Sequence, residues 1–306
     1  MSGNAKPIVI VGSVTMDMVT STPMIPAIGQ TVIGSGFRTT PGGKGANQAV
    51  AAALLGATVK MVGCVGSDVY GPQLIENLKS AGVDISAMET VEGPSGLAPI
   101  FVDHKGQNAI VVVPGANGRV TREIVDRHAG AIRGAGIVLC QLELPLETTL
   151  HAIALCAEAG VPVMLDPAPA AALPEEVFAQ IEWLTPNETE LELYVGRGLG
   201  VEDAAEKLFS RGVRGVVLKR GGEGSYIARA GGKGRWVAPF NVDVKDTVGA
   251  GDCFNGAFAV ALMEGADPWE AGRFANAAAA VSVSRSGAQT AMPTRAEVME
   301  LLRAVA

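Results

Sequence analysis

Residues 137–165 read IVLCQLELPLETTLHAIALCAEAGVPVML, and the fold class follows from them. The apolar run at 137–139 predicts a buried strand, 146–159 a helix and 161–165 a second strand. Reading outward, the same alternation continues on both sides. Upstream, IVIV at 8–11 ends in Gly12-Ser13 and predicts another buried strand. An Ala/Leu-rich helix over 46–55 closes at Gly56, a strand follows at 59–62, and a helix over 71–81 closes at Gly82. Downstream come a strand at 181–184, an acidic helix from about Glu188, a helix over 201–211 and a strand at 216–218. Weaker strands fall at 226–228 and 235–237, and helices fill 250–264, 268–284 and 295–304. Repeated strand–helix units predict an α/β fold with a largely parallel central sheet covered on both faces. One segment breaks the alternation. The apolar runs 97–102 and 109–113, separated by DHKGQN, predict a hairpin belonging to a small β-rich flap.

No repeat, linker or low-complexity tract divides the 306 residues, so the expectation is one domain spanning 1–306. Such a chain buries a core large enough to need no disulfide or metal staple. Only 5% of residues are aromatic, so that core is built from Val, Leu, Ile and Ala. The formal charge of −7 removes the global positive field that nucleic-acid binding uses. Any phosphate site must be made locally, from backbone N–H groups and single cations. Cys64, Cys140, Cys156 and Cys253 stand apart without C-x-x-C spacing, which argues against a zinc cage or disulfide framework. The first residues show no cleavable signal pattern and no stretch approaches the ~20 apolar residues of a membrane span, so the expected location is the cytoplasm.

Four motifs carry candidate chemistry. The first is Asp246-Thr-Val-Gly-Ala-Gly-Asp252, running directly into a helix. Its glycines admit close approach of a ligand, and the helix start offers free N–H groups and partial positive charge to a phosphoryl group. Asp252 at its end either accepts a proton from an attacking hydroxyl or caps the helix. The second is Gly42-Gly-Lys-Gly-Ala-Asn47, which is not a Walker A loop because Lys44 precedes Gly45 and not Ser or Thr. It is either a hydroxyl-binding turn or a glycine turn with a solvated lysine. The third, Thr185-Pro-Asn-Glu-Thr-Glu190, reads both as a helix start and as a place where Asn187 and Glu190 organise hydrated Mg²⁺. The fourth places acids just past strands: Asp17 after 8–11 and Glu143 after 137–139. Either acid binds hydroxyls or ends its strand. No G-x-G-x-x-G follows the first strand, which excludes a dinucleotide-binding dehydrogenase.

In this order the motifs resemble the PfkB-type (ribokinase-like) carbohydrate kinase family. The anchors are GGKGANQAVAAA at 42–53, QLELPLE at 141–147, DPAPA at 166–170, TPNETE at 185–190, DTVGAGDCFNGA at 246–257 and NAAAAVSVSRSGAQ at 276–289. The similarity runs from residue 8 to about 302. It implies a three-layer ribokinase-like sandwich with a small β-sheet lid, drawn from about 18–40 and 95–114, which also forms a homodimer contact. The implied reaction moves the γ-phosphoryl group of ATP to the 5-hydroxyl of D-ribose. Deoxyribose or a ketohexose is the sister acceptor, and a nucleoside the third class.

Carried over residue by residue, Asp252 becomes the base and Gly249, Ala250 and Gly251 the anion hole. Thr15, Asp17, Gly43, Lys44, Asn47 and Glu143 hold the sugar. Asn187, Glu190, Lys219, Gly221, Gly224, Gly251 and Asn276 serve Mg–ATP. The resemblance also implies a monovalent cation, usually potassium, at Asp246, Val248, Ser282, Arg285, Gly287 and Ala291. Three positions depart from the family pattern. Thr15 stands in place of Asn and Ala291 in place of Ser. Leu218-Lys-Arg-Gly221 replaces a loop with Thr before Leu-Gly, which places Lys219 or Arg220 against phosphates.

Overall fold

A computed structural model describes residues 6–305. Residues 1–5 and 306, the ends of the expected single-domain range, lie outside the described residues. In chain order, β1 (Ile8–Val11), β2 (Thr15–Ser21) and β3 (Gly36–Gly42) precede α1 (Lys44–Leu54), β4 (Val59–Gly66), α2 (Gly71–Ser80) and β5 (Asp84–Val91). Next come β6 (Gly96–Val102), β7 (Asn108–Ile110), α3 (Arg122–Arg127), α4 (Ala129–Arg133), β8 (Ile137–Cys140), α5 (Leu146–Ala159) and β9 (Val163–Leu165). Then follow β10 (Trp183–Leu184), α6 (Glu188–Val195), α7 (Val201–Ser210), β11 (Gly215–Lys219), β12 (Ser225–Arg229) and β13 (Arg235–Val237). Three helices close the chain: α8 (Ala250–Met263), α9 (Pro268–Val283) and α10 (Arg295–Ala304).

The large sheet has nine strands in the order β13-β12-β11-β10-β9-β8-β1-β4-β5. Its pairings are parallel except at β11–β12 and β12–β13. Alternate residues of each strand enter different cores, as the period of two requires. Ile8 and Ile10 face the core under α1, α2, α8, α9 and α10, while Val9 and Val11 face the core under α3 to α7. Both faces are therefore dry, and the parallel strands read as unbroken apolar runs. Local chemistry sets the helix ends. Gly160 takes the left-handed conformation that stops α5, and Asp267 with Glu270 forms a capping box before Pro268 at the start of α9.

The second sheet orders β3-β2-β6-β7. It contains the expected hairpin, but its first strand begins at Thr15, so Asp17 lies on β2 and not in a loop after β1. Polar residues dominate β2 and β3 and hid both from the periodicity. β7 also stops at Ile110, short of the expected 113. Pro99 on β6 accepts from the Val111 N–H but has no N–H to return, and pairing resumes only at Leu97 and Val113.

Candidate functional site

β1 marks the switch point of the large sheet. From it the chain winds through β4 and β5 on one side, and through β8, β9, β10 and β11 on the other. Ligands of such sheets bind beyond the carboxyl ends of the strands at this crevice. The candidate residues stand there: Glu143 past β8, Asp166 past β9, Asn187 past β10 and Lys219 at the end of β11.

The start of α1 joins the ends of β1 and β8. Gly43 precedes the helix with φ near 90°, a conformation favouring glycine, and a Cβ there would stand 2.8 Å from the Thr15 nitrogen. No side chain of the N-cap serves the free N–H groups of the first turn. Lys44 N–H instead donates to Glu143 Oε2 at 3.0 Å, and Ala46 N–H to the Ser13 carbonyl at 2.9 Å. Ser13 Oγ donates to the same Glu143 oxygen. Asp17 accepts from Thr15 Oγ1 at 3.0 Å, and its carboxylate rests against Gly42, where any Cβ would collide with it. Burial raises the Asp17 carboxyl to about 6, and Glu143 and Asp252 push the same way, against the Thr15 hydrogen bond.

Asp252 is buried in the first turn of α8, and its carboxylate makes no cap of that helix. It turns across to α1, accepting from Asn47 Nδ2 at 2.9 Å and from Gln48 Nε2 at 3.2 Å. The capping alternative is thereby removed, because the acceptor oxygens face a neighbouring helix. Burial raises the carboxyl, and the Lys44 ammonium opposes this. Asp252 is likewise the main cause of the upward shift at Lys44. Gly249, with φ near 73°, sets the turn into α8, and Ala250 N–H folds back to the Thr247 carbonyl at 3.2 Å.

A cavity of about 790 Å³ opens beside this turn. Its walls bring together Lys44, Asp166, Asn187, Glu190, Lys219, Gly221, Gly249 to Asp252 and Asn276. Phe240, Val242, Val244 and Val283 give it an apolar end. Asn276 donates to the carbonyls of Val237 and Ala238 at 3.0 and 3.1 Å, which fixes its amide. Gly224 does not line the cavity; its φ near 89° and its contact with the Val237 carbonyl explain the glycine by packing. Thr15, Asp17, Gly43, Asn47 and Glu143 lie outside this cavity's walls; Glu143 is linked to it through Lys44 and Asn47 through Asp252.

Asn187 and Glu190 form a complete capping box, with Asn187 Oδ1 accepting from Glu190 N–H at 2.9 Å. The helix-start reading of this motif therefore holds, and both residues also line the cavity. Glu190 is raised by burial first and by Asp166 second. Among the described residues no cluster of three His, Cys, Asp or Glu could cage a metal. One carboxylate and one amide on a cavity wall suit a Mg²⁺ ion that keeps most of its water.

Just ahead of α8, Asp246 accepts from Val248 N–H at 3.0 Å and Gly287 N–H at 2.9 Å, tying two loops together. Ser282 Oγ donates to the Ala279 carbonyl, and Arg285 pairs with Glu297. Ala291 offers no side-chain ligand. These side chains are committed, which leaves backbone carbonyls as the donor set for a monovalent ion.

Sequence reasoning assigned no role to three residues that the structure brings to the centre. Gln289 donates to Asn47 Oδ1 at 3.0 Å, Gln48 bridges two carboxylates, and Asp166 accepts from Lys219 Nζ at 3.0 Å. Each sits inside a recognised motif, but its partner lies on a different element and is revealed only by the packing.

A carboxylate held between amides at a glycine-bearing helix start, facing a cavity with two lysines, defines a phosphotransferase acting on an alcohol. The model for pfkB family carbohydrate kinases matches residues 5–295, and the chain belongs to that family. It is 45% identical to a ribokinase of Bacillus subtilis over 96% of this chain and 99% of that one. It is 39% identical to a ribokinase of Haemophilus influenzae over 97% and 98%. The structure of Arabidopsis thaliana ribokinase complexed with ribose and ATP superposes with a TM-score of 0.92 at 36% identity, covering 98% and 99% of the two chains. That of a Thermotoga maritima ribokinase gives 0.90 at 41% identity, covering 97% and 99%.

Proposed function

We propose that the chain transfers the γ-phosphoryl group of ATP to the 5-hydroxyl of D-ribose, giving ribose 5-phosphate and ADP. The observation that carries this reading is the placement of Asp252. Its carboxylate is buried, aimed by Asn47 and Gln48, and shares one cavity with Lys44, Lys219 and the start of α8. Asp252 takes the proton of the attacking hydroxyl while the oxygen bonds to phosphorus and ADP leaves with the electrons of the broken P–O bond. The turn at Gly249, Ala250 and Gly251 faces the charge that develops on the phosphoryl oxygens. Asp17, Gly43, Lys44, Asn47 and Glu143 hold the sugar. Asn276 and Gly221 lie along the nucleotide, and Asn187 with Glu190 holds hydrated Mg²⁺, which neutralises phosphate charge. The backbone around Asp246, Val248, Ser282, Arg285, Gly287 and Ala291 holds a potassium ion.

The small sheet is the lid over the sugar, closing the site to water. Its exposed apolar side chains, Phe37 and Ile110, support a homodimer formed through this sheet. The chain has no helix, among the described residues, long and apolar enough to cross a membrane; the proposed location is the cytoplasm. An ADP-release assay over ribose, deoxyribose, ketohexoses and adenosine, with and without K⁺, tests the whole reading. Ribose preferred by a wide margin is expected, and preference for adenosine would overturn it.

A further inference from the structure

Two buried residues at the centre of the site remain without a role, Gln48 on α1 and Asp166 past β9. Gln141 Nε2 donates to Gln48 Oε1 at 2.7 Å, which turns the Gln48 amide nitrogen toward the carboxylates. The opposite orientation would set a carbonyl oxygen against two carboxylates. That nitrogen has two protons and meets two acceptors, Asp252 Oδ1 at 3.2 Å and Asp166 Oδ2 at 3.1 Å. The other oxygen of Asp166 accepts from Lys219 Nζ at 3.0 Å. The same ammonium stands 3.5 Å from where a Cβ on Gly251 would be, beside the turn that begins α8.

We propose that Gln48 and Asp166 are positioning residues for the transfer step. One buried amide sets the base Asp252 relative to Asp166, and Asp166 holds the Lys219 ammonium where the transferring phosphoryl group arrives. The inference rests on Asp252 acting as the base and deepens that reading.

The chemistry favours this division of labour. Two carboxylates that share a dry space repel each other. A neutral amide with two N–H groups satisfies both without adding a charge, and so leaves Asp252 basic. Lysine carries its charge on a flexible four-carbon stem and reaches a defined point only when a partner selects it. Asp166 supplies that partner from a fully buried position. An arriving phosphate then meets a cation already in place, which lowers the reorganisation needed at the moment of transfer.

Steady-state kinetics of Gln48→Met, Asp166→Asn, Lys219→Met and the double variant Asp166→Asn with Lys219→Met test the proposal, with folding followed by thermal melts. Misplacing a reacting group by about 1 Å costs up to ~10²-fold, so Gln48→Met lowers kcat roughly 10- to 100-fold. Its affinity for ribose alone, measured by calorimetry, stays within about twofold. Asp166→Asn raises the KM for ATP while the KM for ribose holds, and the double variant is no worse than Lys219→Met. Asp166→Asn with an unchanged KM for ATP, or effects of the two substitutions that simply add, overturns the proposal. Wild-type kcat in Gln48→Met does the same. Should Gln48→Met fail to fold, the Asp166 and Lys219 cycle still decides. A wild-type chain that releases no ADP on addition of ribose overturns the kinase reading itself; an active wild type with unaffected variants overturns this inference alone.

Discussion

Asn47 donates its amide to Asp252 across 2.9 Å, from one helix to another, and Gln289 decides which end of that amide is presented. Because Gln289 Nε2 donates to Asn47 Oδ1 at 3.0 Å, Asn47 has only its NH₂ group to turn toward the carboxylate. Asp252 is thus aimed by a neighbour that is itself aimed. Rigidity of this kind keeps a reacting group in place without a metal or a covalent link.

Asp252→Asn keeps the size of the side chain and one acceptor oxygen but removes the proton acceptor. Loss of a general base costs typically ~10²–10⁴-fold in rate, so kcat should fall by that factor with KM for ribose and ATP little changed. Rapid-quench measurement of one turnover checks it. A variant turning over at the wild-type rate would remove Asp252 from the chemistry.

Much of this arrangement was legible from the residues. The strands at the centre of the large sheet are dry on both faces, so their apolar runs announced them, and 146–159 was read to the residue. β5 was not seen, because an edge strand alternates with charges and looks like a loop. β2 and β3 were hidden by polar side chains that interrupt any apolar period. Lys44 and Asp252 line one cavity, and Asn47 and Glu143 are hydrogen-bonded to them. Gln48, Gln289 and Asp166 escaped notice for a different reason. A buried amide is identified by what it bridges, and the bridges here join positions more than 100 residues apart.

Asp17 ties function to pH. Its carboxyl is raised to about 6 from an ordinary value of 3.8, so the folded chain binds a proton that the unfolded chain has released across that window. Stability from this group is therefore complete below about 4 and is lost as pH rises through 6. In the proposed function, the same ionisation creates the charge that accepts sugar hydroxyls. Asp17→Asn should raise stability at pH 7.5 by up to about 3 kcal/mol, give no gain at pH 4, and raise the KM for ribose. Chemical denaturation at the two pH values reads the sign, and an equal effect at both would refute the assignment.

The capping box at α6 serves the fold and the cavity at once, whereas the one at α9 serves the fold alone. Removing an N-cap side chain costs about 1 kcal/mol, so Asn187→Ala and Asp267→Ala should lower Tm by similar amounts. Only Asn187→Ala should raise the KM for ATP and the Mg²⁺ needed for half-maximal rate. Equal kinetics in the two variants would reduce Asn187 to a helix start.

The distance between Asn47 and Asp252 is set by how closely α1 and α8 approach, and Gly256 sets that approach. A Cβ on Gly256 would stand 2.8 Å from the Gln48 carbonyl oxygen and 2.9 Å from the Ala51 Cβ, with backbone behind both. Neither neighbour can rotate away, so Gly256→Ala must separate the helices. Overpacking of this sort costs about 1–3 kcal/mol. The shift also moves Asp252, the proposed base, away from its two amides, and displacement of about 1 Å can cost ~10²-fold in rate. The variant should lose kcat at temperatures where thermal melts show it fully folded, and should lose it more than Asp267→Ala of comparable Tm. Activity that tracks Tm alike in both variants would mean that this helix contact supports the fold without setting the geometry of the base.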